Sequence, residues 1–71
     1  MTTYAVIFER GTGNWSAYVP DLPGCVATGK TRRETEETIR EAISFHLEGL
    51  RLKSLPIPPS VSSAANLRVA A

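Results

Sequence analysis

Pro20-Asp21-Leu22-Pro23-Gly24-Cys25-Val26-Ala27-Thr28-Gly29-Lys30-Thr31 decides the fold, because the run from Gly24 to Thr31 matches the phosphate-binding P-loop pattern letter for letter while the residues before it contradict that reading. A P-loop needs a buried strand that delivers small residues to a helix start, where backbone N–H groups cradle phosphate and a Lys reaches the outer oxygens. Pro20 and Pro23 each remove a ladder donor, so the segment entering Gly24 is not a central parallel strand. Cys25, Val26, Ala27 and Thr28 have the composition of a strand rather than of an anion nest. A chain of 71 residues is also too short for an NTPase domain, and no later apolar strand ends in a magnesium-binding Asp. The stretch therefore reads as a rigid turn from Pro20 to Gly24, a strand from Cys25 to Gly29, and a helix beginning at Thr31.

Upstream, Tyr4-Ala5-Val6-Ile7-Phe8-Glu9 is apolar, β-branched or aromatic for most of its length, the mark of a strand with both faces at least partly covered. Arg10-Gly11-Thr12-Gly13-Asn14 holds residue types that accept positive φ and reads as a hairpin loop. Trp15 to Val19 is its antiparallel partner, with Trp15, Ala17 and Val19 on one face and Ser16 and Tyr18 on the other. The three strands make a meander.

Downstream, Thr31 and Glu34 have capping-box spacing, a side-chain oxygen for an orphan N–H answered by a carboxylate. Ile39, Ala42, Ile43, Leu47 and Leu50 recur at spacings of three and four and form one apolar stripe, while Glu36, Glu37, Arg40, Glu41, Ser44 and Glu48 form the wet side. Phe45 lies off the stripe's centre and caps the core edge or meets another subunit. Pro56, Pro58 and Pro59 forbid continuation. Ser60 to Asn66 reads as a small-residue linker, and Leu67-Arg68-Val69-Ala70 as a short final strand, parallel to an earlier one through a right-handed crossover. The expected fold is α+β, β-β-β-α-β, with the helix on one sheet face. The opposite face, carrying some of Tyr4, Val6, Phe8, Trp15 and Tyr18, is then left for self-association or a partner.

Composition narrows the chemistry. Eight Lys and Arg against seven Asp and Glu give a formal charge of +1, which carries no electrostatic footprint of a nucleic-acid binder. One Cys excludes an internal disulfide framework, and the sequence shows neither a signal peptide nor an apolar run of transmembrane length, so the expected compartment is the cytosol. A domain this small buries only about 60% of its unfolded surface, which favours homodimers or higher oligomers. One His and one Cys make no zinc site, so neither a metal nor a cofactor is expected. His46 falls within the apolar stripe and Cys25 after a turn, positions that suit packing better than nucleophilic catalysis; no catalytic residue is expected. Asp21, held between two prolines, is either a turn former bonded to its own backbone or a carboxylate offered to a basic partner. Lys30, Arg32 and Arg33 form the basic cluster, either a solvated turn or a contact for an acidic partner. Trp15 and Tyr18 are packing residues that also belong to the types enriched at binding hot spots. The candidate partner-binding residues are Trp15, Tyr18, Asp21, Leu22 and Pro23.

The residues Tyr4 to Glu9, the hairpin into Trp15-Ser16-Ala17-Tyr18-Val19, the turn Pro20-Asp21-Leu22-Pro23-Gly24-Cys25, Thr28-Gly29-Lys30-Thr31 before an Ile-Arg-Glu-Ala helix, His46-Leu47-Glu48-Gly49-Leu50 and the Pro56-Ile57-Pro58 stop together resemble the HicB family of antitoxins, over about residues 3 to 59. The resemblance implies one HicB-like domain over residues 1–71, likened to a reduced ribonuclease-H fold without that enzyme's catalytic carboxylates. It implies a non-enzymatic protein that neutralises a HicA-like RNA-cleaving toxin by covering its active site. Many members carry a C-terminal operator-binding module; this sequence stops before one fits, so no direct nucleic-acid binding is expected. The position held by Lys30 is commonly acidic in the family, which makes the Gly-Lys-Thr match a chance variant of a strand-to-helix turn. The alternative is an orphan oligomeric scaffold or small-ligand-binding domain of the same fold.

Overall fold

The computed structural model describes residues 2–70, which form an antiparallel sheet of β1 (Ile7–Arg10), β2 (Trp15–Tyr18) and β3 (Val26–Gly29) in sequence order, followed by one helix, α1 (Arg32–Leu52). The α+β meander-plus-helix architecture is the one expected. β1 and β2 pair in the register Ile7↔Tyr18, Phe8↔Ala17, Glu9↔Ser16 and Arg10↔Trp15, which sets the hairpin loop at residues 11–14. Gly13 takes φ 76° there, and the Gly11 N–H donates to Asn14 O at 2.8 Å. The strand is shorter at its start than the apolar run suggested, because β2 ends at Tyr18 and leaves residues 4–6 no ladder partner.

Two consecutive turns, each with Pro at its second position, join β2 to β3. The Leu22 N–H donates to Val19 O at 3.1 Å across Pro20 and Asp21, and the Cys25 N–H donates to Leu22 O at 3.0 Å across Pro23 and Gly24. Gly24 sits at φ 85°, the positive value that a type II turn requires after its Pro. Leu22, shared by both turns, is folded back into the core and is 0% exposed. Around it lie Ala17, Val19, Cys25, Ala27 and Ile39. Residues 26–29 are thus the third strand, and the P-loop pattern has no phosphate cradle behind it.

Gly29 is the residue that lets the helix start close against β3, since a Cβ there would lie 2.6 Å from Thr35 Oγ1 and 3.1 Å from Thr35 N. Thr31 caps the helix, its hydroxyl accepting from Glu34 N at 3.0 Å. The answering half of the box is displaced by one residue: Glu34 Oε1 accepts from Lys30 N at 3.1 Å. Thr35, fully buried, donates its hydroxyl to Thr31 O at 2.7 Å, so its burial leaves no unpaired oxygen. The helix closes on a Schellman pair, Leu55 N to Leu50 O at 2.9 Å and Ser54 N to Arg51 O at 3.0 Å, with Ser54 at φ 56° where Gly is usual.

α1 packs over β3 and β2. The helix-side face of β1 is left beside it as one wall of a groove of about 710 Å³ floored by Tyr4, Val6, Phe8, Ile39, Ile43 and Leu47. Phe45, at 82% exposed, does not cap the core edge.

Residues 56–70 contain neither helix nor strand. The expected final strand at Leu67–Ala70 is therefore not part of this sheet, although the segment approaches on the expected side. Tyr4 OH donates to Pro58 O at 2.6 Å, and residues 64–66 face Val6, Ile7 and Phe8 across a cavity of about 320 Å³, so the tail runs beside β1 in the parallel sense without ladder bonds. Pro58 and Pro59 have no N–H to give to such a ladder where the tail first reaches β1, and the tail is held by side-chain contacts from Tyr4 and Asp21 instead.

Candidate partner-binding surface

Alternation along the paired strands fixes what each face presents. Val6, Phe8, Trp15, Ala17, Val19, Cys25 and Ala27 share the helix side with the core, while Ile7, Tyr18 and Val26 lie directly opposite one another across all three strands on the other side. Tyr18 and Val26 are exposed, at 41% and 63%. The next row on that face, Glu9, Ser16 and Thr28, is polar. The open face thus carries an apolar band at the turn end and a polar band at the hairpin end.

The five residues singled out from the sequence do not form one patch. Tyr18 and Pro23 are exposed; Leu22 is buried in the core and presents no side-chain surface. Trp15 lies on the helix side with Phe8 and Arg32, where it lines the cavity between β1 and the tail. Asp21 faces neither solvent alone nor its own turn: its Oδ2 accepts from Val61 N and Ser62 N, both at 2.9 Å, and its Oδ1 from Ser62 Oγ at 2.7 Å. The Ser62 backbone N–H, then the Ser62 hydroxyl, hold the Asp21 carboxyl below its ordinary value against a smaller opposing effect of desolvation, with the Val61 N–H adding to them. The carboxylate between the two prolines is a clamp for residues 61–62.

The two arginines of the basic cluster are likewise engaged within the helix. Arg32 pairs with Glu36 at 3.3 Å and lies over the Phe8 ring at 4.3 Å from its centroid, and Arg33 pairs with Glu37 at 3.7 Å. These exposed i,i+4 pairs are each worth only about 0.3–0.5 kcal/mol, but they use the guanidinium groups locally. Cys25 and His46 line one shallow cavity of about 330 Å³ with Val26, Ala42, Phe45 and Gly49. Burial raises the Cys25 thiol above its ordinary value, which disfavours the thiolate that nucleophilic chemistry needs. Among the described residues no cluster of His, Cys, Asp and Glu is placed to hold a metal ion, and no helix is long and apolar enough to cross a membrane.

Ile7 and Val26 were not among the expected contact residues. Alternation assigns each a face only once the register with Tyr18 is known, and a four-residue strand does not reveal its register by itself.

By class this is a small α+β domain with an open apolar sheet face held beside a proline-braced turn. Over residues 4–70 it matches the sequence model of the HicB-like antitoxins of bacterial toxin–antitoxin systems, and the chain belongs to that family. It is similar to a 14.9 kDa protein of the rep–hol intergenic region of Haemophilus phage HP1, 37% identical over 57 residues that cover 80% of this chain and 43% of that protein. It thus spans less than half the length of that relative. A UPF0150 protein of Thermoplasma acidophilum is 39% identical over 78% of this chain and 81% of its own length, and one of Synechocystis 36% identical over 78% and 71%. No solved structure gives a significant match.

Proposed function

We propose that this chain is a non-enzymatic, cytosolic antitoxin that binds a HicA-like RNA-cleaving toxin and blocks its active site sterically. The observation that carries the reading is the family match, which runs through the whole strand-and-helix core into the tail. The open face supports it physically, since an aromatic flanked by aliphatics on a preformed sheet loses little entropy on binding. In this reading Tyr18 and Pro23 touch the toxin directly, with Ile7 and Val26 beside Tyr18. Leu22 and Asp21 act indirectly, Leu22 by fixing the turn from inside and Asp21 by holding residues 61–62 beside it. Trp15 supports the edge through the β1 cavity. Direct grip on nucleic acid has no part, because the charge is near balance and Arg32 and Arg33 are paired with helix carboxylates.

The test is co-purification with the product of the adjacent gene, combined with an RNA-cleavage assay on that product. A stable complex with cleavage abolished supports the antitoxin reading. Absence of a complex removes it and transfers the weight to an oligomeric scaffold of the same fold.

A further inference from the structure

α1 carries a second apolar line that its own sheet does not use. Ala42, Phe45, Gly49 and Leu52 follow one another at spacings of three, four and three, the pattern of a helix–helix seam, with no charged residue among them. The seam lies round the helix from Ile39, Ile43 and Leu47, which pack on the sheet. Large and small residues alternate along it. Phe45 projects into solvent and Leu52 is 79% exposed, while Ala42 and Gly49 leave low ground beside them.

Gly49 is the member that the chain's own fold does not explain. A glycine inside a helix weakens it. This one is not among the glycines with positive φ, it is not the helix cap, and a Cβ at its position would meet nothing within 4 Å. Its missing side chain instead keeps open the shallow cavity of about 330 Å³ that Phe45 borders, with Cys25, Val26, Ala42 and His46 as its other walls. A projecting aromatic and a hollow with room for a ring thus stand one helical turn apart on a single patch.

That pairing names the occupant. A patch that fits a different protein needs a knob or a hollow, whereas a two-fold interface needs both on the same surface, because each copy must receive what it offers. A two-fold axis crossing α1 near residue 47 runs two helices antiparallel and sets each Phe45 opposite the other copy's Gly49 and each Leu52 opposite the other's Ala42. Every large side chain then meets a small one, and the small residues let the helix axes approach to about 8 Å. Glu48, the charged residue nearest the axis, is already neutralised by Arg51 of its own chain at 3.2 Å. Phe45 and Leu52 alone offer on the order of 350 Å² per copy, a large share of the roughly 800 Å² that each partner brings to a stable interface.

We infer that two copies of this chain pair through antiparallel α1 helices, Phe45 of each seated in the hollow at Gly49 of the other. The pairing removes the most exposed side chain of the helix from water and gives the glycine its physical reason. Tyr18 lies on the sheet face away from α1, so self-association leaves it open to a different partner.

Light scattering on the purified full-length chain over a concentration series gives the mass directly, and the expected result is a dimer or a multiple of it. Gly49→Leu fills the hollow while meeting only open space in its own chain, and it is expected to halve the mass, with far-ultraviolet circular dichroism showing the helix retained. Phe45→Asp removes the knob and is expected to do the same. A cross-link that leaves the seam intact gives an independent reading: a Cys25→Ser, Glu48→Cys chain is expected to form a covalent dimer on oxidation, and a Cys25→Ser, Arg33→Cys chain, altered at the far end of the helix, to stay monomeric on a denaturing gel. A full-length chain that is monomeric at every concentration, a dimer that survives Gly49→Leu or Phe45→Asp, or cross-linking at Arg33→Cys as ready as at Glu48→Cys overturns the pairing. Each outcome is read without any toxin present and is therefore independent of the antitoxin proposal.

Discussion

Leu22 and Asp21 are neighbours with opposite assignments. Two successive turns with Pro at their second positions reverse the chain tightly enough that the Leu22 side chain returns to the core, while the carboxylate beside it points at the tail. Leu22→Ala is expected to destabilise the domain by about 2–5 kcal/mol through the cavity it leaves, a large part of the roughly 4–10 kcal/mol available to a chain of this size; urea unfolding followed by circular dichroism measures it. Asp21 carries a pH dependence of definite sign. Its folded-state value is depressed, chiefly by Ser62, so the clamp contributes fully above the unfolded carboxyl value of about 4 and is lost as pH falls through the lower folded value. Protection of the Val61 and Ser62 amides, taken relative to the intrinsic exchange rate at each pH, is expected to fall on acidification through that window, and Asp21→Ala to show low protection at neutral pH already. Equal protection of the two amides in wild type and variant at neutral pH counts against the clamp. Ser54 offers the reverse kind of change: at φ 56° in the C-terminal cap, Ser54→Gly is expected to stabilise by about 0.5–1 kcal/mol, read as a rise in Tm.

At the scale of elements, the strand-to-helix junction is built on contact rather than on phosphate. Gly29 allows Thr35 to approach, Thr31 caps, and Glu34 reaches back to Lys30. Gly29→Ala forces a Cβ to 2.6 Å from a buried hydroxyl whose backbone N is also close, so helix and strand must separate, and a loss of about 1–3 kcal/mol is expected in the same unfolding assay. Adding ATP with magnesium is expected to leave Tm unchanged, since bound nucleotide would raise it by mass action. The capping Thr, the apolar stripe at Ile39, Ala42, Ile43 and Leu47 and the proline stop were legible because helix periodicity and cap chemistry are local. The final strand was not, because pairing depends on which edge lies within reach.

Across the whole molecule, large apolar side chains stand exposed at Tyr18 and Val26 of the sheet, Phe45 and Leu52 of the helix and Leu67 and Val69 of the tail. On the antitoxin reading Tyr18→Asp is expected to weaken the toxin complex by at least tenfold, equivalent to about 1.4 kcal/mol, with the helix signal unchanged; isothermal titration of wild type against variant decides it, and equal affinities remove the open face from the interface.

Neighbours a few residues apart set the hairpin loop, the braced turn, the third strand in place of a P-loop, the capped helix and, through motif order, the family. Contacts between distant segments are what turn Leu22 inward, let Asp21 hold a segment forty residues away, align Ile7, Tyr18 and Val26 in one row, and leave the outer edge of β1 without a ladder partner among the described residues. These depend on register and on contacts between distant segments, and a side chain's role there is set by what the fold carries to it rather than by the residues beside it.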